Sequence, residues 1–184
     1  MDFKHRVKRE LQDYYRKKIK LLPPVKNDPF DISKHKKTAL LFYINNKTEL
    51  DLVRKVVRHA RQEHENNYAV IFCSTEENVD IITDRDFFIF NAGHFDYRWR
   101  PRQELRQWFE ASKFDLLINF CSEDQLESNI LYTLINAKFR ISNQNPHVCN
   151  FSDLTINTKE KHTDMVTFYN LAIDNLKMLN IKRN

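Results

Sequence analysis

"FDLLINFCSED", residues 114–124, decides how the rest of the chain is read. Phe114 to Phe120 is almost continuously apolar, which marks a strand covered on both faces rather than one with a wet side. The run passes directly into Cys121, Ser122, Glu123 and Asp124. In an open α/β sheet, ligands sit outside the carboxyl ends of the strands, so Asn119, Ser122 and Glu123 form the candidate ligand crevice. A nucleophile there would need a base within hydrogen-bond reach of Cys121 or Ser122. His94 and His147 fall on predicted loops, and nothing in the spacing brings either to that place. The simpler expectation is that Asn119 bonds local backbone while Ser122 or Asp124 caps the helix that follows.

Working outward, apolar runs alternate with helical periodicity. "TALLFYI" (38–44) and "YAVIFC" (68–73) read as buried strands. "VDII" (79–82) and "DFFIFN" (86–91) read as one bent strand or a hairpin around "TDRD", and "KFRIS" (138–142) and "SDLTIN" (152–157) as short strands. Thr48 followed by Asp51 predicts a capping box opening a helix to about Asn66, with Leu50, Val53, Val56, Val57 and Ala60 inward. Pro101 suits the first turn of a helix through Ala111, burying Leu105, Trp108 and Phe109. A further helix is predicted up to Ala137, burying Leu126, Ile130, Leu131, Leu134 and Ile135, and a last one over about His162–Leu179. Strand and helix alternating over short connections predict an α/β fold: a single Rossmann-like sheet, parallel or mostly parallel, flanked by helices.

The chain has 184 residues and a single glycine, Gly93. A dinucleotide fingerprint or a P-loop needs several glycines so that backbone N–H groups can approach phosphate, and neither is present. No cofactor is implied. Cys73, Cys121 and Cys149 are far apart, form no C-x-x-C pair and sit in or beside apolar runs, as buried thiols of a reducing compartment do. His59 and His64 are five apart and miss the i, i+4 spacing of a zinc pair, so no metal is expected. The N-terminus lacks the apolar core of a secretory signal and no run reaches transmembrane length, which points to the cytoplasm.

Net charge is +5, and its placement is uneven. Residues 1–37 carry twelve basic against five acidic side chains, +7, and the remaining 147 residues carry eighteen against twenty, −2. Residues 1–24 read as a basic amphipathic helical arm, with Phe3, Val7, Leu11, Tyr14 and Leu22 as an apolar stripe and Pro23–Pro24 as its stop. Residues 25–37 read as a linker and 38–184 as the α/β domain. Lys4, Arg6, Lys8, Arg9, Arg16, Lys17, Lys18 and Lys20 are the charges that would meet phosphate, with little sequence preference. "HFDYRWRPRQELR" (94–106) adds Arg98, Trp99, Arg100 and Arg102, since guanidinium forks suit phosphates and an exposed indole stacks on a base. The bland alternative is that this loop is solvated and its arginines pair with nearby acids.

With "FDLLINF", "NAKFRIS" and "SDLTIN" in view, the chain resembles a bacterial domain family of unknown function with a Rossmann-like fold. That family has a basic N-terminal helix, a central F-D-L-L-I-N strand and a later A-K-F-R strand. The same order is similar to the N-terminal half of heptosyltransferase-type glycosyltransferases, which follow the arginine with glycine where this chain has Ile141 and Ser142. The resemblance implies a fold and no catalytic residue. The function expected is a non-catalytic binding module that docks on RNA or a ribonucleoprotein such as the ribosome. The alternatives are a degenerate glycosyltransferase-like or nucleotide-binding enzyme domain, and a protein–protein scaffold. An amphipathic basic helix also suits an anionic membrane surface, although this stripe is modest for anchoring.

Overall fold

The computed structural model describes residues 36–63, 67–74, 87–97, 100–122, 125–146, 148–157 and 164–181. The predicted arm, most of the linker and the "VDII" segment lie outside the described residues.

Six strands form one parallel sheet: β1 (Thr38–Ile44), β2 (Asn67–Cys73), β3 (Phe87–Phe90), β4 (Lys113–Asn119), β5 (Asn136–Asn143) and β6 (Leu154–Ile156). Their order is β3-β2-β1-β4-β5-β6, that of the doubly wound Rossmann fold. Parallel neighbours cannot be joined by a tight hairpin, so the helices α1 (Lys47–Glu63), α2 (Gln103–Ala111) and α3 (Leu126–Leu134) return the chain from strand tip to strand root. A fourth helix, α4 (Met165–Ile181), follows β6. "DFFIFN" thus contributes the edge strand β3, parallel to β2.

The sheet divides the core in two. On one face, α1 and α4 cover Leu40, Phe42, Ile44, Leu116 and Ile118; on the other, α2, α3 and the 144–152 loop cover Leu41, Val70, Phe72 and Leu117. All five inward positions expected of α1 are buried. Truncating one such side chain to alanine typically costs about 2–5 kcal/mol, because the lost transfer energy and the residual cavity add.

Several expectations shift by a turn. The N-terminal cap of α1 is made by Asn46 and Glu49 rather than Thr48 and Asp51. Glu49 N–H donates to Asn46 Oδ1 at 3.0 Å, and Glu49 Oε2 accepts from Asn45 N–H at 2.6 Å. Asp51 instead pairs with Arg54 at 3.0 Å. Pro101 forms an isolated bridge with Phe95, and α2 begins at Gln103. The residue at the N-terminal cap of α3 is Gln125, not Ser122, and it makes no side-chain cap bond; Asp124 lies outside the described residues. The Gln125 side chain turns back, and Ser122 N–H donates to Gln125 Oε1 at 2.9 Å. Ala137 belongs to β5 and not to the helix, because the apolar-polar alternation of "NAKFRISN" outlasts the helical stripe. His59 is no freely solvated histidine: its Nε2 lies 2.8 Å from Asn170 Oδ1 and its ring meets Tyr169 edge-on, joining α1 to α4.

The arginine of the A-K-F-R run is a structural member of this core. Arg140 is 5% exposed, donates from Nη2 to Ile135 O at 2.8 Å and stands 5.9 Å from the Tyr132 ring centroid. Its backbone N–H donates to Asp153 Oδ2 at 2.8 Å, which fixes β6 beside β5.

At the root of β1 the chain is held by Asp115. Lys36 N–H and Lys37 N–H donate to Asp115 Oδ2 at 3.0 and 3.1 Å, and Lys138 Nζ reaches Asp115 Oδ1 at 2.7 Å. The Lys37 ammonium lies 5.2 Å from the Tyr68 and Phe114 ring centroids. Burial acts to raise the Asp115 carboxyl, but the Lys138 bond and the two backbone donors outweigh it and lower it below the usual carboxylate range. A depressed folded-state value contributes stability above the unfolded value, and that stability is lost as pH falls through the folded one. Asp115→Ala is therefore expected to destabilise by about 1–3 kcal/mol near neutral pH, from the loss of charge-assisted bonds. The difference from the parent protein should close as pH drops below the unfolded value of about 3.9, read by urea melts across that range.

Candidate functional site

The six described strands are parallel, so their tips lie on one edge of the sheet. β1 and β4 are neighbours whose chains leave in opposite directions, which makes their tips the topological switch point, where a crevice forms in sheets of this kind. An asparagine or serine stands at or just past each tip: Asn45 and Asn46, Ser74, Asn91, Asn119, Asn143 and Asn157. That recurrence is visible in the sequence as "INN", "CS", "FN", "IN", "SN" and "IN", although only Asn119 of this set is a candidate on sequence grounds.

Most of these side chains serve the fold. Asn119 is fully buried, and its Oδ1 accepts from Cys121 N–H at 3.0 Å. Asn143 Nδ2 donates to Cys121 O at 2.9 Å, so two amides clamp the backbone of one residue. Ser74 donates to Asn45 Oδ1 at 2.7 Å, tying the tips of β1 and β2. Asn145 Nδ2 donates to Asn129 Oδ1 at 3.0 Å beneath the next loop. Two polar atoms at the clamp are buried without a hydrogen-bond partner among the described residues, the donor Asn119 Nδ2 and the acceptor Asn143 Oδ1. Ser122 is exposed, and Glu123 lies outside the described residues.

The thiol and phenol nearest the clamp are held neutral. Burial pushes the Cys121 thiol up to about 12, against a weaker opposing bond from Ser128. Its Sγ faces Leu41 O at 3.7 Å. Burial raises the Tyr43 phenol too, with the Glu127 carboxylate adding to it and Ser74 opposing. A thiol needs its thiolate form to attack, so Cys121 behaves as a buried apolar side chain and not as a nucleophile. Among the described histidines, His94 is engaged locally, with Nδ1 2.9 Å from Asn91 Oδ1. His147 lies outside the described residues.

The second candidate is the loop after β3. Asp96 and Arg100 close it: Arg100 N–H and Nε donate to Asp96 at 2.9 and 2.8 Å. Arg102 Nε donates to Phe95 O at 3.4 Å and Arg106 Nε to Pro101 O at 3.0 Å. Local pairing of the arginines is thus present for Arg100, while Arg98 and Trp99 lie outside the described residues. Tyr97 is 74% exposed. Gly93 N–H donates to Asn91 Oδ1 at 3.0 Å, so the single glycine serves a local turn.

Lys4, Arg6, Lys8, Arg9, Arg16, Lys17, Lys18 and Lys20 lie outside the described residues. The chain they belong to enters at the root of β1, whereas the Arg100–Arg102 loop stands at the tip edge.

Alkylation tests the neutral-thiol assignment. At pH 8 the folded protein is expected to label at half-buried Cys149 first, with Cys121 and Cys73 protected until urea unfolds the chain, as peptide mass spectrometry would report.

No helix of the described residues is long and apolar enough to cross a membrane. Comparison with curated proteins yields no match. Among solved structures, a glycosyl transferase family 9 protein from Veillonella parvula DSM 2008 is similar at 10% identity and a TM-score of 0.50. The likeness covers 79% of this chain and 42% of that one, and at such identity it is a likeness of fold. A family model described as "Family of unknown function (DUF6913)" matches residues 8–179, nearly the full length, and the chain belongs to that family.

Proposed function

We propose that the protein is a non-catalytic module that docks on RNA or a ribonucleoprotein, such as the ribosome, through its basic N-terminal segment. The observation that carries this reading is the charge asymmetry: +7 in residues 1–37 against −2 in the other 147. Lys4, Arg6, Lys8, Arg9, Arg16, Lys17, Lys18 and Lys20 would neutralise phosphates, and Arg98, Trp99, Arg100 and Arg102 would add contacts from the tip edge. The strand-tip chemistry supports a binding role over catalysis. Among the described residues, the Cys121 thiol and the Tyr43 phenol there are neutral and the amides are largely committed to the fold, and the sequence has a single glycine where a phosphate loop needs several.

The test is binding of labelled RNA to the full chain and to a variant with those eight N-terminal basic residues changed to Gln, at two salt concentrations. Engagement of about six phosphates gives a log–log salt slope of about −4 on single strands and about −5 on duplex. The Gln variant should lose most of that slope. Equal, salt-insensitive binding by the two proteins would remove the proposal.

A second reading has one observation in its favour: at and beside the switch point a buried amide donor and acceptor have no partner among the described residues, in a fold similar to 42% of a glycosyl transferase chain. Under it, the crevice near Asn119 would take part of a nucleotide or sugar, with a second chain completing the site. Thermal-shift measurements with nucleotides and nucleotide sugars separate the two. A ligand at a hundred times its Kd stabilises by about 2.7 kcal/mol, and the RNA-docking reading expects no such shift.

A further inference from the structure

We infer that the root edge of the sheet is itself a cationic platform that contacts RNA phosphates in addition to those met by the basic N-terminal segment. The inference rests on the RNA-docking reading and deepens it by naming a second set of contacts, three of which, Arg58, Lys113 and Lys138, lie within the near-neutral residues 38–184.

The geometry follows from the parallel sheet. Lys36 leads into β1, Lys113 opens β4 and Lys138 lies near the start of β5. Thr38 is paired with Leu116 and Lys113 with Asn136, so these three lysines sit at the lower ends of three adjacent strands. Neighbouring strands are about 4.8 Å apart, which sets the lysines side by side. Lys36 and Lys113 are exposed, and no carboxylate among the described residues pairs with either. Lys138 is 69% exposed while it holds Asp115. α1 descends from the tip of β1 to the same edge, bringing exposed Arg58 to within two turns of its lower end.

Among the described residues, the acids facing this edge are few. Asp115 is committed to Lys138 and to the backbone of Lys36 and Lys37. Glu110 lies near the end of α2 on the other face, and Arg61 in the last turn of α1 adds a positive charge. Because α1, α2 and α3 all end here, their partial negative charge also falls on this edge. Offsetting those helix ends is the ordinary role of such cations, so a test must separate it from phosphate contact. Thr38, Phe114 and Ala137, the less polar residues between the lysines, are at most 3% exposed, so among the described residues these positions offer no wedge to insert into a bilayer. That favours a hydrated polyanion, RNA, over a lipid surface.

The experiment uses the full chain with a labelled oligouridine of about 20 nucleotides, between about 50 and about 200 mM salt. Lys36→Gln, Arg58→Gln and Lys113→Gln are combined, and Lys47→Gln, at the tip end of α1, serves as a one-charge control. Loss of three contacts should make the slope shallower by about 2, so the affinity lost across the salt range shrinks by about 15-fold. The melting temperature should hold, and the Lys47→Gln slope should match the parent. If the parent binds and the triple variant keeps its slope, the platform inference is wrong and the docking reading stands. A lowered melting temperature with unchanged slope assigns these residues to the helix ends alone and likewise overturns the platform while leaving the docking reading in place. Lys47→Gln shifting the slope as much per charge as the triple reduces the effect to net charge and also overturns the platform. Failure of the parent to bind RNA ends both proposals. Binding of the parent to phosphatidylglycerol vesicles in place of RNA, lost in the triple variant, would reassign the partner to a membrane.

Discussion

β1 is the constraint on which the molecule is built. Leu40, Leu41, Phe42 and Ile44 are buried to the last few square ångströms on alternating faces, and both edges of the strand are paired, with β2 and with β4. A parallel strand in that position demands a helix on each side, because its own side chains cannot be satisfied by water on either. It also demands crossovers, and crossovers give the molecule a direction. Strand tips and helix starts gather at one edge, strand roots and helix ends at the other.

The two edges differ chemically. The tip edge is a belt of amides and hydroxyls that mostly cap, clamp and tie the fold: Asn46 on α1, Asn119 and Asn143 on the backbone of Cys121, Ser74 on Asn45. Its thiol and phenols are raised by burial, as for Cys121, Tyr43 and Tyr132, so they remain protonated near neutral pH. Deeper under the same edge, the Tyr132 and Ser142 hydroxyls both meet Ser152 Oγ, at 2.9 and 2.8 Å. The root edge, in contrast, carries the exposed ammonium groups of Lys36, Lys113 and Lys138.

Local chemistry was legible where periodicity was strong. The inward stripe of α1 and the apolar runs of β1, β2 and β4 read correctly because burial on a sheet or helix face imposes a period that survives any tertiary context. The caps were harder. Thr48–Asp51 and Asn46–Glu49 both have the right spacing, and what selects the second is that Asn45, at the tip of β1, must also reach Ser74 at the tip of β2. Similarly, the helix reading of 124–137 overran because Ile135 and Ala137 suit either element. Pairing of Phe114 with Ala137 in the sheet decides for the strand.

From its residues alone this chain is a doubly covered α/β domain with too few glycines for a phosphate loop and with an excess of positive charge in its first 37 residues; composition and periodicity are sums over local positions, so they need no coordinates. Tertiary structure alone decided that Asn119 and Asn143 converge on one backbone, that Arg140 is a core member, and that Lys36, Lys113 and Arg58 share an edge although up to 77 residues separate them. Those relations come from register and crossover handedness. They depend on which strands lie side by side, and that is a property of the whole sheet that no single stretch encodes.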